Sequence, residues 1–327
     1  MTARFTVVPR RPYSLALTAE RYTRFPEAVD RFDGRTYRRL LTVGPRTVLL
    51  SVEQEGSSSR ATLKIRLEGA GADGSASGEA ALRVVDLALG AASDVGPFYR
   101  AHRNDALLGR SIRDFRGLRV SGVPSLWEAL VTAILAQQVN LKFAYDIRRE
   151  LAETFGRRAR FDGDTFFAFP LPESFGKETA FSLRRFRLSD AKASAILGLA
   201  KAFAGGALME TEIAALPDVE AIERLISFRG VGRWTAEIAL LRGLGRTDIF
   251  PAGDLGVVKY LAQGLLGRRA KAKEDEMRRF AERWRPHRSF ALVYGYAEIN
   301  RRKASPSPPS ARPSPRRDPG NARSRKD

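Results

Sequence analysis

Residues 228–234 read Phe-Arg-Gly-Val-Gly-Arg-Trp, and an Asp-Leu-Gly follows at Asp254. Two glycines one residue apart permit backbone angles that other residues resist, so the segment reads as a tight turn. The stretches on either side, 218–227 and 233–242, carry helical apolar spacing. Gly232 opens the second helix, where free backbone N–H groups point outward and suit a phosphate. Such a turn grips nucleic-acid backbone without reading its bases. Arg229, Gly230, Val231, Gly232 and Arg233 are therefore candidate DNA contacts. Asp254 is a candidate for chemistry on the same nucleic acid.

The composition agrees with a polyanionic partner. The chain has 327 residues, 43% of them hydrophobic, and a formal net charge of +19. From Arg301 to the end, nine Lys/Arg face two Asp, so most of the positive charge belongs to the body rather than to the tail. Excess positive charge favours phosphate neutralisation with release of counterions. There is no Cys, which excludes disulfides, thiolate catalysis and a cysteine-held iron–sulfur cluster. Two His make a classical zinc site improbable. The N-terminus lacks the apolar run of a secretion signal, and no stretch is apolar for 18 residues, so the expected setting is cytoplasmic, nucleoid-associated in a prokaryote.

Working outward, three regions emerge. Residues 1–95 read as a small α/β domain. Thr62–Glu68 alternates apolar and polar, the period of a half-buried strand, and 46–53 and 36–43 are further strand candidates around a Gly44-Pro45 turn. Residues 13–18 make a fourth candidate strand, and 79–89 carry the helical stripe Leu82, Val85 and Leu89. Residues 96–303 read as an all-α body of at least seven helices, because strand signals fade after Ser93. Ser125 and Glu128 have the spacing of a capping box. Further helices are expected at 192–203, 254–266, 274–284 and 287–300. Residues 304–327 hold six Pro and five Ser among basic residues and read as a disordered tail. The fold class is α+β: an antiparallel sheet with helices, then a helical body.

Taken alone, Asp254 has two readings. It precedes an apolar-periodic run, where an Asp side chain caps the free N–H groups of a helix. A carboxylate near a sugar can also stabilise an oxocarbenium-like centre and orient or deprotonate water. Trp234 likewise has a core-packing reading beside a base-stacking one.

Residues 232–236, 239–243, 248–251 and Asp254, followed by 281–286 and 288–292, resemble the helix-hairpin-helix DNA glycosylases, and most closely their DNA-3-methyladenine glycosylase II family. The detailed resemblance covers residues 124–297. It implies that Asp254 is catalytic and that the substrate is an alkylated purine in double-stranded DNA, removed after base flipping. Lyase-type members carry a Lys where this chain has Trp234, so the resemblance implies hydrolysis by water. A purine alkylated at N3 or N7 is cationic and stacks on an indole face. By family position Tyr296 and Leu255 would line the base pocket, with Leu255 replacing an aromatic. Gln138 stands at the position of the residue that fills the gap left by the flipped base, where an apolar side chain is usual. Gln137 is expected to tie helix to loop. The backbone carbonyls of Ile226, Phe228 and Val231 would hold a structural Na⁺ or K⁺; no other cofactor is implied, and a monomer is expected. Arg229 replaces a common Pro. Two other readings remain: a glycosylase for oxidised or deaminated bases, and a non-catalytic protein that binds DNA structure.

Overall fold

The computed structural model describes residues 1–23, 28–267 and 271–304. The Pro/Ser/Arg-rich tail expected at 304–327 lies outside the described residues except for Ala304, which closes the last helix.

Five antiparallel strands form one sheet in the order β1-β5-β4-β3-β2, with β1 Thr2–Val7, β2 Asp30–Phe32, β3 Thr36–Val43, β4 Arg46–Glu55 and β5 Thr62–Glu68. The β3–β4 connection is the two-residue Gly44-Pro45 loop, since Val43 pairs with Arg46. Leu63, Ile65 and Leu67 alternate inward from β5, as the sequence pattern requires. They pack with Leu41, Leu50 and Val52 against the helix Ser75–Arg83 and the π-helical turn Val84–Ala88.

Three sequence expectations need correction. Residues 13–18 are not a strand: Ser14 accepts a hydrogen bond from the Leu17 N–H at 3.3 Å and caps the short helix Leu15–Ala19. The apolar Tyr13, Leu15 and Leu17 mimic strand alternation over too short a span to decide. The helical body also contains a hairpin, β6 Arg158–Phe161 and β7 Asp164–Phe167. Its loop is Asp162-Gly163, both with positive φ, the arrangement of a type I′ turn. Phe166 and Ala168 cover Leu40 and Leu49 on the second face of the sheet. Adjacent leucines at 40–41 and 49–50 are the sequence mark of a sheet covered on both faces. Finally, Ser125 does cap the helix Leu126–Ala136, but Glu128 does not reach back to it.

Glu128 is instead the centre of a buried ionic cluster. Its carboxylate accepts from Arg39 of β3 at 2.5 Å and from Arg148 of the helix Leu141–Phe155. Asp30 of β2 accepts from the same two arginines, Arg39 at 2.7 Å and Arg148 at 3.3 Å. All four side chains are at most 4% exposed. Two acids and two guanidiniums thus neutralise each other where the sheet meets the helices. Removing one member leaves a buried charge without a partner, which costs about 3–5 kcal/mol.

The helical body closes around one large core that includes Leu130, Ile134, Leu240, Trp284 and Phe290. No helix of the described residues is long and apolar enough to cross a membrane. For the ionic cluster, Glu128→Gln is expected to lower unfolding stability by about 3–5 kcal/mol. Denaturant titration of the purified variant measures it. A loss under about 1 kcal/mol would mean that the cluster does not join the two parts.

Candidate active site and nucleic-acid interface

The helices Asp218–Ile226 and Arg233–Gly243 flank the glycine turn as the sequence predicts. Gly232 is the N-cap of the second helix and supplies no side-chain cap, so the first N–H groups of that helix lack an intrahelical partner. Val231 is buried and anchors the turn, while Arg229, Gly230, Gly232 and Arg233 are exposed.

The two glycines have different uses. Gly230 has φ +85°, and a Cβ there would run into the Ala195 methyl of the helix Asp190–Ala204. Gly232 has φ −90°, and a Cβ on it meets nothing within 4 Å. Gly230 is thus required by packing within the protein. Gly232 leaves open space at the outer surface, where a ligand can approach the backbone.

Gln137 fastens this turn to the body. Its side-chain amide donates to the Gly230 carbonyl at 3.0 Å and to Thr235 Oγ1 at 2.9 Å. Lys192 donates to the Leu135 and Gln137 carbonyls at 2.9 and 2.8 Å. Burial pulls the Lys192 ammonium below its ordinary pKa. Between these anchors Gln138 is exposed with φ +55°, an unusual conformation for a non-glycine residue. Arg233 is less free than the sequence suggests. It pairs at 3.2 Å with the buried Glu237, which also accepts from Arg278 at 2.7 Å.

Asp254 lies behind the turn, and three donors converge on its carboxylate. The Trp234 indole N–H reaches Oδ2 at 2.8 Å. The Tyr296 hydroxyl and the Gly256 backbone N–H reach Oδ1 at 3.1 and 2.8 Å. The Gly256 bond is the local, cap-like one that the sequence allows. The other two are tertiary and fix the carboxylate in space. Burial and the Asp254 charge push the Tyr296 phenol well above its ordinary pKa, so it remains a donor at neutral pH. Tyr294, the other tyrosine of the helix Arg288–Ala304, is fully buried and bonds to Tyr99. Leu255, next to the carboxylate, is 58% exposed.

Gly256 is a residue that the sequence reading missed. A Cβ there would overlap the Tyr296 hydroxyl and lie 2.8 Å from Asp254 Oδ1. Its only sequence signal is its place in Asp254-Leu255-Gly256. It also begins the π-helical segment Gly256–Leu261, a rare conformation often found at functional sites. The carbonyls of Ile226, Phe228 and Val231 lie in the turn, and Phe228 also accepts from the Val231 N–H at 3.1 Å.

The glycines give a direct comparison. Gly230→Ala should destabilise the fold by about 1–3 kcal/mol, from positive φ and the clash with Ala195. Gly232→Ala should leave stability nearly unchanged but weaken binding to damaged and undamaged duplex alike, because it obstructs backbone approach. Thermal unfolding and binding titrations separate these. Equal behaviour of the two variants would contradict the assignment.

Comparison with known proteins agrees with this geometry. The sequence profile of the HhH-GPD superfamily base excision DNA repair protein matches residues 131–286. The chain is 33% identical over 202 residues to a DNA-3-methyladenine glycosylase of Bacillus subtilis, covering 62% of this chain and 66% of the relative. It is 33% identical over 189 residues to DNA-3-methyladenine glycosylase 2 of Escherichia coli, covering 57% of this chain and 62% of that protein. The chain therefore spans somewhat under two thirds of these relatives. The solved 3-methyladenine DNA-glycosylase of Archaeoglobus fulgidus superposes with a TM-score of 0.77 at 26% identity, over 90% of this chain and 98% of that one. Residues 131–286, with the glycine turn and Asp254, thus match the HhH-GPD superfamily of base excision DNA repair proteins, and the chain shares the fold of the solved Archaeoglobus fulgidus glycosylase.

Proposed function

We propose that this protein is a monofunctional DNA glycosylase that hydrolyses the N-glycosidic bond of alkylated purines, of the 3-methyladenine and 7-methylguanine type, in double-stranded DNA. The observation that carries the reading is the Asp254 carboxylate, held by Trp234 at the start of the helix that follows the glycine turn and by Tyr296 of the last helix. The names of the relatives support the same substrate class.

The chemistry follows from this placement. Backbone N–H groups at Gly232–Trp234 and the exposed Arg229 meet the DNA backbone. Gln138, on its anchored loop, fills the gap left by an extrahelical base. The base enters beside Trp234, Tyr296 and Leu255, and the indole face stacks on its cationic ring. The C1′–N bond breaks with its electron pair going to the base, which leaves neutral. Positive charge develops at C1′, and the Asp254 carboxylate stabilises it. Water adds its oxygen to C1′ and gives a proton to Asp254. Trp234 bears no amine, so no Schiff base forms at that point.

An alkali cation on the Ile226, Phe228 and Val231 carbonyls would brace the turn against the phosphate. These ligands are neutral oxygens with no carboxylate, so they fit a weakly held hard cation rather than a transition metal. The chain would act as a monomer, in the cytoplasm or at the nucleoid of a prokaryote.

Asp254→Asn is the test of the carboxylate. It should keep duplex binding and lose base release by at least ~100-fold, because only the charge at the transition state loses its partner. Near-normal release would reduce Asp254 to a helix cap. During turnover by the unaltered protein, borohydride should trap no protein–DNA adduct. An efficient cross-link would require an amine and contradict the hydrolytic reading.

A further inference from the structure

The helix Asp190–Ala204 braces both the glycine turn and the loop that carries Gln138, and one of its side chains has no use in the chemistry above. Its Ala195 methyl packs against Gly230. Three residues earlier, and so on the same face, Lys192 reaches the loop. The Lys192 ammonium donates to the Leu135 carbonyl at 2.9 Å and to the Gln137 carbonyl at 2.8 Å. Leu135 lies in the last turn of the helix Leu126–Ala136, whose final carbonyls lack intrahelical partners. Gln137 is the C-cap of that helix, with φ −59° and ψ 124°, so the chain leaves the helix there. A cation at this point satisfies both oxygens and complements the negative end of the helix.

The consequence falls on Gln138. Downstream, Asn140 accepts from the Phe143 N–H at 2.9 Å and caps the helix Leu141–Phe155. Only Gln138 and Val139 span the distance from the C-cap held by Lys192 to this next N-cap. Val139 is half-buried against the core. Gln138 is exposed at φ +55°, a left-handed conformation that side chains disfavour. Such strain persists only where the surroundings over-determine the backbone. Here the main chain before Gln138 is pinned by Lys192, and the Gln137 amide is bonded to the Gly230 carbonyl. Loop and turn are therefore fixed to each other by side chains from outside both.

We propose that Lys192 is a positioning residue for extraction of the base: by capping the helix Leu126–Ala136 and pinning Gln137, it holds the Gln138 side chain in the one place from which it can enter the duplex while the glycine turn grips the backbone. This rests on the glycosylase reading above and deepens it. A paired purine must be unstacked and unpaired before it can reach Asp254, and a side chain that fills the vacated space offsets that cost. Without the ammonium, the Leu135 and Gln137 carbonyls lose their donor, and Gln138 relaxes toward ordinary backbone angles. The side chain then arrives displaced from the turn. Asp254 is held by other groups, Trp234, Tyr296 and the Gly256 N–H, so bond breaking at C1′ does not depend on Lys192. The residue acts through Gln138 and on the step before chemistry.

The test uses the full chain in single-turnover release of 7-methylguanine from two duplexes. In one the lesion is paired with cytosine; in the other it faces an abasic site, so that little pairing has to be broken. Lys192→Met should lower release from the paired lesion at least ~10-fold and from the unpaired lesion less than ~3-fold. In a Gln138→Gly background the same substitution should change release from the paired lesion less than ~2-fold, because the side chain it positions is gone. If Lys192→Met does not fold, Lys192→Gln, too short to reach both carbonyls but still polar, carries the same comparisons. An equal fall on both duplexes is what a merely structural lysine would give, and it overturns the proposal. So does an unchanged rate on the paired lesion, or a full additional loss in the Gln138→Gly background. An unaltered protein that releases 7-methylguanine from neither duplex contradicts the glycosylase reading itself, and the role of Lys192 with it.

Discussion

The junction at Glu128 is the constraint on which the rest depends. One carboxylate takes a guanidinium from the sheet and another from the helical body, and Asp30 takes the same two. Four charges buried from water are tolerable only when each is met by its opposite at short range. That condition fixes how the sheet and helices approach each other. The Leu15–Ala19 helix, the turn that carries Arg21 and the Ser121 strap then meet the far end of the Arg233–Gly243 helix.

Within that frame the Asp254 carboxylate is held by hydrogen bonds from two distant elements. Trp234 arrives from the helix that begins at the glycine turn, and Tyr296 from the last helix. Gly256 is bare so that the tyrosine can close on Asp254. One helix therefore links the glycine turn at its start to carboxylate placement at Trp234. Displacing the turn would displace the Trp234 donor of the Asp254 carboxylate with it. The Gln137 amide, bonded to Gly230 and Thr235, adds the loop that carries Gln138 to the same unit.

The parts legible in the sequence were those governed by neighbours along the chain. Glycine spacing and apolar period give the turn and both its helices, and alternation at Thr62–Glu68 gives its strand. The Asp162-Gly163 hairpin was also legible in principle, since that dipeptide between β-prone residues is a hairpin signal; the helical run around it hid it. Residues 13–18 misled because six residues hold too little period to separate strand from helix. The remainder depends on contacts distant in sequence. Glu128 has the spacing of a capping box but is claimed by arginines 89 and 20 residues away. Gly230 faces Ala195, Gly256 faces Tyr296, and Arg242 meets Arg21 only across the fold. No local pattern encodes such pairings.

The central claim is that this site cuts the bond between an alkylated purine and its sugar. Incubating the purified protein with methylated duplex DNA, followed by chromatography of the soluble bases, measures it directly. The account predicts free 3-methyladenine and 7-methylguanine in solution, and an unbroken strand bearing abasic sites. DNA that is bound but yields no free base would contradict it, and would leave a DNA-binding protein whose Asp254 only caps a helix.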